Sequence, residues 1–263
     1  MKQLVTVAGT LALALSFVGC SDEKKEFLSP KQGEVVLDVN TDEYTLNGKV
    51  IGKTVADEPK NEGLLIKSLS SELKILRKQT TIEKVKFHFD ENLSYNEFYR
   101  IIATAGFSGF TSMQYVIGSE YNNVYVVSLP ERNSYNSTRE ILRLLTAKKE
   151  KKLTNEEIDK FIKESEQRAK NYINLSLSID RRNDKFSYMV GLRGTGFTAF
   201  EKLDDLWKFI EDVRFRRDLQ DKEDKDRIVL ISRMDFSLKD IAPVIKKLTE
   251  FGYKIDFAAL SSQ

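Results

Sequence analysis

The sequence predicts an α/β protein of the α+β two-layer kind, with two tandem β-β-α-β-α-β units joined by a helical spacer. Stretches with apolar residues at every second position alternate with stretches whose apolar residues recur at helical spacing. The same order of elements occurs twice along the chain, which makes internal duplication its organising feature. Turn and cap signals fall at the junctions. Composition is that of a globular protein, 41% hydrophobic and 31% charged with 16 Phe and 10 Tyr. It contains no low-complexity tract.

In the first unit, Val35, Leu37 and Val39 alternate with Glu34, Val36 and Asp38, as in a strand. Tyr44-Thr45-Leu46 leads into Asn47-Gly48, a strong tight-turn signal, and Lys49-Val50-Ile51 continues beyond it. Leu65, Ile66, Leu69, Leu73 and Leu76 share one helical face between Leu64 and Arg77. Val85, Phe87 and Phe89 alternate with Lys86 and His88 in a half-buried strand. Ser94 and Glu97 form a capping-box pattern opening a helix over Tyr95 to Ala105, and Gly106 is expected to close it. Strands follow at Thr111 to Ile117 and Val124 to Leu129.

The second unit repeats the series. Leu175, Leu177 and Ile179 alternate, Asp180 to Asp184 turns, and Phe186 to Val190 returns. Leu203, Leu206, Trp207, Ile210 and Val213 mark a helix, Ile228 to Ile231 a buried strand, Ser237 to Phe251 a helix capped by Gly252, and Ile255 to Leu260 a last strand. Between the units, Ser137-Thr138-Arg139-Glu140 and Thr154-Asn155-Glu156-Glu157 are capping boxes that open two spacer helices, Thr138 to Lys149 and Asn155 to Tyr172. The expected division is 1–19 signal, 20–33 flexible tether, 34–130 first unit, 131–172 spacer and 173–263 second unit.

The beginning of the chain has its own logic. Lys2 is followed by an uncharged apolar run from Leu4 to Phe17, the pattern of a secretory signal. The run is shorter than the roughly 20 residues that span a hydrocarbon core. Phe17-Val18-Gly19-Cys20 resembles the lipobox of bacterial lipoproteins, with Phe where Leu is usual. This predicts cleavage before Cys20 and diacylglycerol on its thiol, the only cysteine in the chain. Ser21 resembles the residues that pass lipoproteins to an outer membrane facing the periplasm. Ser21-Asp22-Glu23 is also similar to surface-export signals of some lipoproteins. The formal charge of +2 falls near neutral once Lys2 is removed, which, with export, argues against a nucleic-acid partner.

Several phrases resemble the periplasmic domain of the ExbD/TolR family of biopolymer-transport proteins. They are Tyr44-Thr45-Leu46-Asn47-Gly48, Val85 to Asp90, Ser94-Tyr95 and Ala105-Gly106-Phe107 in the first unit. The second keeps Ser237-Leu238 and Phe251-Gly252-Tyr253 but has Arg233 at the position expected for Asp, and its helix looks about one turn longer than its counterpart. The resemblance implies two degenerate copies of a two-layer domain that forms a homodimer or packs against envelope partners. Members working in motor complexes carry a transmembrane helix with an Asp in the proton path. Here a cleavable signal without Asp stands there, which implies a tethered binding module rather than a stator.

No residue pattern reads as catalytic, and no cofactor or metal site is expected. His88 is the only histidine, on the strand face opposite Phe87 and Phe89 and directed toward solvent or the sheet edge, without the further N or S ligands of a zinc site. Asp90-Glu91, Asp204-Asp205 and Asp221 to Asp226 read as solvated carboxylates, and Lys148 to Lys152 as a solvated helix end. Gly191-Leu192-Arg193-Gly194-Thr195-Gly196 lacks the Lys-Ser/Thr of a phosphate loop and reads as a flexible strand-to-helix connection. Trp207 reads as core. The expected function is a non-enzymatic, lipid-anchored envelope module contacting protein or peptidoglycan. The alternative is a surface lipoprotein for glycan binding or adhesion.

Overall fold

The computed structural model describes residues 24–53, 65–79, 84–110, 112–121, 123–128, 144, 153–182, 185–192 and 196–260. The signal, Cys20, the first spacer helix apart from Leu144, its Ser137 box and the Lys148 to Lys152 run lie outside the described residues. The α+β two-layer fold is as predicted. One mixed six-stranded sheet comprises β1 (Glu34–Val39), β2 (Glu43–Leu46), β3 (Lys49–Lys53), β4 (Lys84–Phe89), β5 (Ser112–Ile117) and β6 (Tyr125–Ser128) in the order β3-β2-β1-β4-β5-β6. Helix α1 (Lys67–Gln79) lies between β3 and β4 in the chain, and α2 (Tyr95–Phe107) between β4 and β5.

After α3 (Asn155–Ala169), a five-stranded sheet comprises β7 (Ser176–Arg182), β8 (Lys185–Leu192), β9 (Gly196–Phe200), β10 (Arg227–Arg233) and β11 (Lys254–Leu260). Helix α4 (Leu203–Phe215) precedes β10, and α5 (Leu238–Glu250) follows it. The order β11-β10-β7-β8-β9 is that of the first sheet without β6, so the two sheets share one topology. In each, the first strand pairs in parallel with the strand after the first long helix, β1 with β4 and β7 with β10.

Local chemistry explains the elements. Asn47 and Gly48 both take positive φ, 49° and 80°, as a tight hairpin turn requires. The Asn47 side chain also accepts from the Val36 amide at 2.9 Å, tying the turn to β1. Both halves of the Ser94–Glu97 capping box are present, and Thr154 and Glu157 exchange the corresponding bonds. Apolar β4 residues Val85, Phe87 and Phe89 are fully buried. Phe89 packs edge-on to Phe98 of α2 at 4.9 Å between centroids, and Phe98 edge-on to Tyr115 of β5 at 5.5 Å.

The structure corrects four sequence expectations. Helix α2 runs through Gly106 to Phe107, because Ser108 continues the i→i−4 pattern with Thr104; Gly109, at φ 94°, takes the left-handed position instead. At 13 residues each, α2 and α5 are equally long. The glycine-rich stretch 191–196 connects two antiparallel strands, Leu192 facing Gly196, rather than a strand and a helix. The stretch read as a tether is helical over residues 24–28, and Phe27 is buried there against Val116 and Tyr121. An aromatic side chain gains too much from leaving water to stay free beside an apolar surface.

The compact units also depart from the expected division, the spacer falling within the second unit and Arg233–Thr249 within the first. The first takes the residues up to Ser128 together with Arg233–Thr249; the second takes Leu129–Ser232 and Glu250–Ala258. Residues 233–249 meet the start of α2 in a reciprocal cap. Tyr95 and Asn96, the first amides of α2, donate to Phe236 and Met234 carbonyls at 2.6 and 3.1 Å. Leu238 and Lys239, the first amides of α5, donate to Leu93 and Glu91 carbonyls at 2.8 and 2.7 Å. Ser94 and Ser237 form an antiparallel bridge between them. Each helix start thereby satisfies amides that have no partner within the helix.

Two substitutions separate cap from core. Ser94→Ala is expected to cost about 1 kcal/mol by loss of the box, and Phe89→Ala about 3–5 kcal/mol by loss of buried volume. Urea unfolding of both variants beside the parent checks the ranking, and an equal cost contradicts it.

Candidate functional site

Parallel pairing in register places one row of side chains from β1, β4 and β5 on each face of the first sheet. Val35–Val85–Met113, Leu37–Phe87–Tyr115 and Val39–Phe89–Ile117 face the core. The other face carries Glu34–Lys84–Ser112, Val36–Lys86–Gln114 and Asp38–His88–Val116. His88 does lie opposite Phe87 and Phe89, as expected, but it is not turned to solvent. Its side chain is only 12% exposed, because Tyr121, in the turn after β5, stacks on the ring at 5.2 Å between centroids.

The His88 ring is held at both nitrogens. Nδ1 lies 2.6 Å from Oδ1 of Asp38, and Nε2 lies 2.9 Å from the Gly118 carbonyl and 3.1 Å from the Tyr121 hydroxyl. A carboxylate and a carbonyl can only accept, so the ring satisfies both at once only with a proton on each nitrogen. Gly118 has φ 61°, and a side chain there would meet the Glu91 carboxylate at 3.1 Å. Burial, then the nearby Asp38 charge, pushes the Tyr121 phenol up to about 12.

Beside this cluster, Lys86 is itself buried and reaches Glu34 at 2.6 Å, with Lys84 at 3.6 Å on the same carboxylate. Burial works to raise the Glu34 carboxyl. It is outweighed by the Lys86 hydrogen bond, the Lys31 amide and the two lysine charges, so Glu34 sits below the usual carboxylate range. The Lys86 ammonium also lies over the Phe27 ring, 5.6 Å from its centroid. Chemically, this arrangement orients and shields charges. Neither ring nitrogen of His88 is left open to a substrate.

Other sequence-marked residues lie apart from this cluster. Asp90 caps its own turn by accepting from the Asn92 amide at 2.8 Å. Asp204 and Asp205 are exposed in the first turn of α4. The carboxylates of 221–226 are not all simply solvated. Asp224 accepts from the Ile173 and Asn174 amides at 2.6 and 2.8 Å, which holds Asn174 at φ 51°. Asp226 pairs with Lys254 at 2.7 Å. Arg233 forks onto Asp235. Trp207 is half-buried against Phe251 rather than fully in the core. Asp38, Tyr121, Lys86 and Phe27 were not marked by sequence; Phe27-Leu28, an apolar pair in a charged stretch, was the available signal. Among the described residues, no three His, Cys, Asp or Glu side chains converge to hold a metal.

Tyr121→Phe removes one late-ionising phenol, so a spectrophotometric alkaline titration of the variant should lose absorbance change near pH 12. The folded phenol ionises above the unfolded one, so Tyr121 contributes stability that is fully present below about pH 10 and is lost as pH rises further. The variant should therefore lose less stability than the parent at alkaline pH, and an unchanged alkaline profile contradicts the assignment.

Comparison with protein-family models gives no match, and comparison with curated proteins gives none.

Proposed function

We propose that the protein is an exported lipoprotein held by lipid on Cys20, and that its two α+β units are a non-enzymatic binding module of the cell envelope. In this reading it is accessory to an ExbD/TolR-type transport or envelope-integrity system, through contacts with protein or peptidoglycan. The observation that carries the reading is the docking of residues 24–28 on the first sheet through Phe27. Seven residue steps separate Cys20 from Phe27, and a chain extends at most about 3.6 Å per residue. A lipid on Cys20 thus holds the first unit within about 25 Å of the membrane surface. Such a short leash suits a partner in, or just above, that membrane.

The shared strand order of the two sheets supports the duplicated ExbD/TolR-like reading. So does the fold-forming role of the phrases behind it. Asn47-Gly48 makes the β2–β3 turn. Ser94 and Ser237 both cap helices, Ser237 bonding to Asp240 as Ser94 does to Glu97.

Mass spectrometry of the protein from membranes should find diacylglycerol on a mature N-terminal Cys20, and Cys20→Ala should leave the membrane fraction. Crosslinking and pull-down from envelopes should recover a motor-complex subunit or peptidoglycan with the parent and much less with Cys20→Ala. Recovery of neither sinks the proposed role, and an unlipidated Cys20 sinks the anchor.

A further inference from the structure

The second sheet ends on β9, and that edge is unguarded. Among the described residues only β8 pairs with it, so alternate amides and carbonyls of Gly196–Phe200 point away from the sheet. A free edge is a template for another strand, and proteins ordinarily blunt it with charge, proline, a bulge or a very short strand. The other sheet ends follow that rule. β3 has Lys49 and Lys53 at its ends and an irregular register with β2. β6 is four residues long. β11 carries Lys254 and Asp256, paired with Asp226 and Arg227. β9 reads Gly-Phe-Thr-Ala-Phe, five residues without charge or proline and in regular register with β8. Its first four residues are exposed, Phe197 to 70%.

The order of side chains along β9 suits a copy of itself. Phe197 and Ala199 lie on the outer face, opposite Gly191 and Met189 of β8. The Phe197 ring lies across Gly191, where a Cβ would come within 2.6 Å of it. It is therefore turned toward β8 and leaves the edge clear. Phe200 lies on the core face, its ring 5.2 Å from that of Phe209 in α4. Two such strands set antiparallel about Thr198 put Thr198 opposite Thr198, Phe197 opposite Ala199 and Phe200 opposite Gly196. Each large side chain meets a small one. Threonine facing threonine is a favourable cross-strand pair, and an aromatic side chain covers the backbone that glycine leaves bare.

We propose that β9 is the contact surface for a second copy of this chain, the two strands pairing antiparallel about Thr198 so that the two sheets become one. The same strand serves on both sides of the two-fold axis, so the contact closes on itself and does not propagate. A seam of one strand pair is small, which makes the dimer a weak one. Copies held on one membrane meet at high effective concentration. The pairing goes beyond the envelope reading and does not rest on the lipid, since β9 supplies all of it.

Cysteine crosslinking of the full chain, concentrated in detergent and oxidised, tests the register; the parent, with Cys20 alone, sets the background. In the paired state the two Thr198 Cα atoms stand about 4.5–5.5 Å apart, within the span of a disulfide. Thr198→Cys should therefore give covalent dimer several-fold above the parent. Glu201→Cys, three residues from the axis, should stay at the parent level. Phe197→Cys and Ala199→Cys each place their own two sulfurs on Cα atoms about 8 Å apart, past the roughly 7 Å limit. Mixed together, they stand directly opposite, so the mixture should crosslink several-fold better than either variant alone. Thr198→Cys at the level of the parent or of Glu201→Cys overturns the proposal, and so does a mixture no better than its components. An unlipidated Cys20 sinks the anchor and leaves this crosslinking pattern unchanged.

Discussion

The structure of the first unit depends on one constraint, the two-residue period of three parallel strands in unbroken register. Because β1, β4 and β5 pair without a bulge, Val and Leu from β1, Val and Phe from β4, and Met, Tyr and Ile from β5 stack in continuous rows against the core. The same geometry commits Glu34, Asp38, Lys84, Lys86 and His88 to the opposite face. A slip of one residue would exchange the two sets, burying lysines under the helices and exposing Phe87 and Phe89. Register and charge placement are therefore one choice.

That choice creates the chemistry of the other face. Charged groups on an open sheet face need no partners, but here Phe27 and Tyr121 cover part of it, and a covered polar group left unpaired costs about 1–3 kcal/mol. Each covered polar group is accordingly matched: Lys86 with Glu34, and the His88 ring with Asp38, the Gly118 carbonyl and the Tyr121 hydroxyl. Glu34, held below the usual carboxylate range, contributes stability above that range and loses it as pH falls through its own lowered titration.

How much of this was legible in the sequence follows from how local each signal is. The Ser94–Glu97 and Thr154–Glu157 boxes, the Asn47-Gly48 turn and the alternation of β1, β4 and β7 are written within a few residues, and the structure repeats them. The reading of Gly106 failed because two glycines stand three positions apart, and Ser108 bonds the Thr104 carbonyl through both its amide and its hydroxyl, carrying the helix past the first. The Asp38–His88 contact was out of reach for a different reason. Asp38 and His88 are 50 residues apart and meet only because β4 crosses over to pair with β1 rather than with β3. Phe27 was hidden by its surroundings, since charge and Pro30 make 22–33 read as tether until the surface beneath Phe27 is known.

The second sheet separates what the fold requires from what the first unit adds. It has the same strand order and the same parallel crossover, yet the alternate face of β10 presents Val229 and Ile231 opposite Ser176 and Ser178 of β7. No histidine and no paired lysine occupies that central position. On the core side Leu177 pairs with Leu230, as Leu37 pairs with Phe87 in the first sheet, so the apolar rows are kept while the polar rows differ. The topology can therefore be built without Asp38, His88 or Lys86. In the first sheet these groups lie beside Phe27 and Tyr121, Lys86 over the Phe27 ring and His88 stacked on Tyr121.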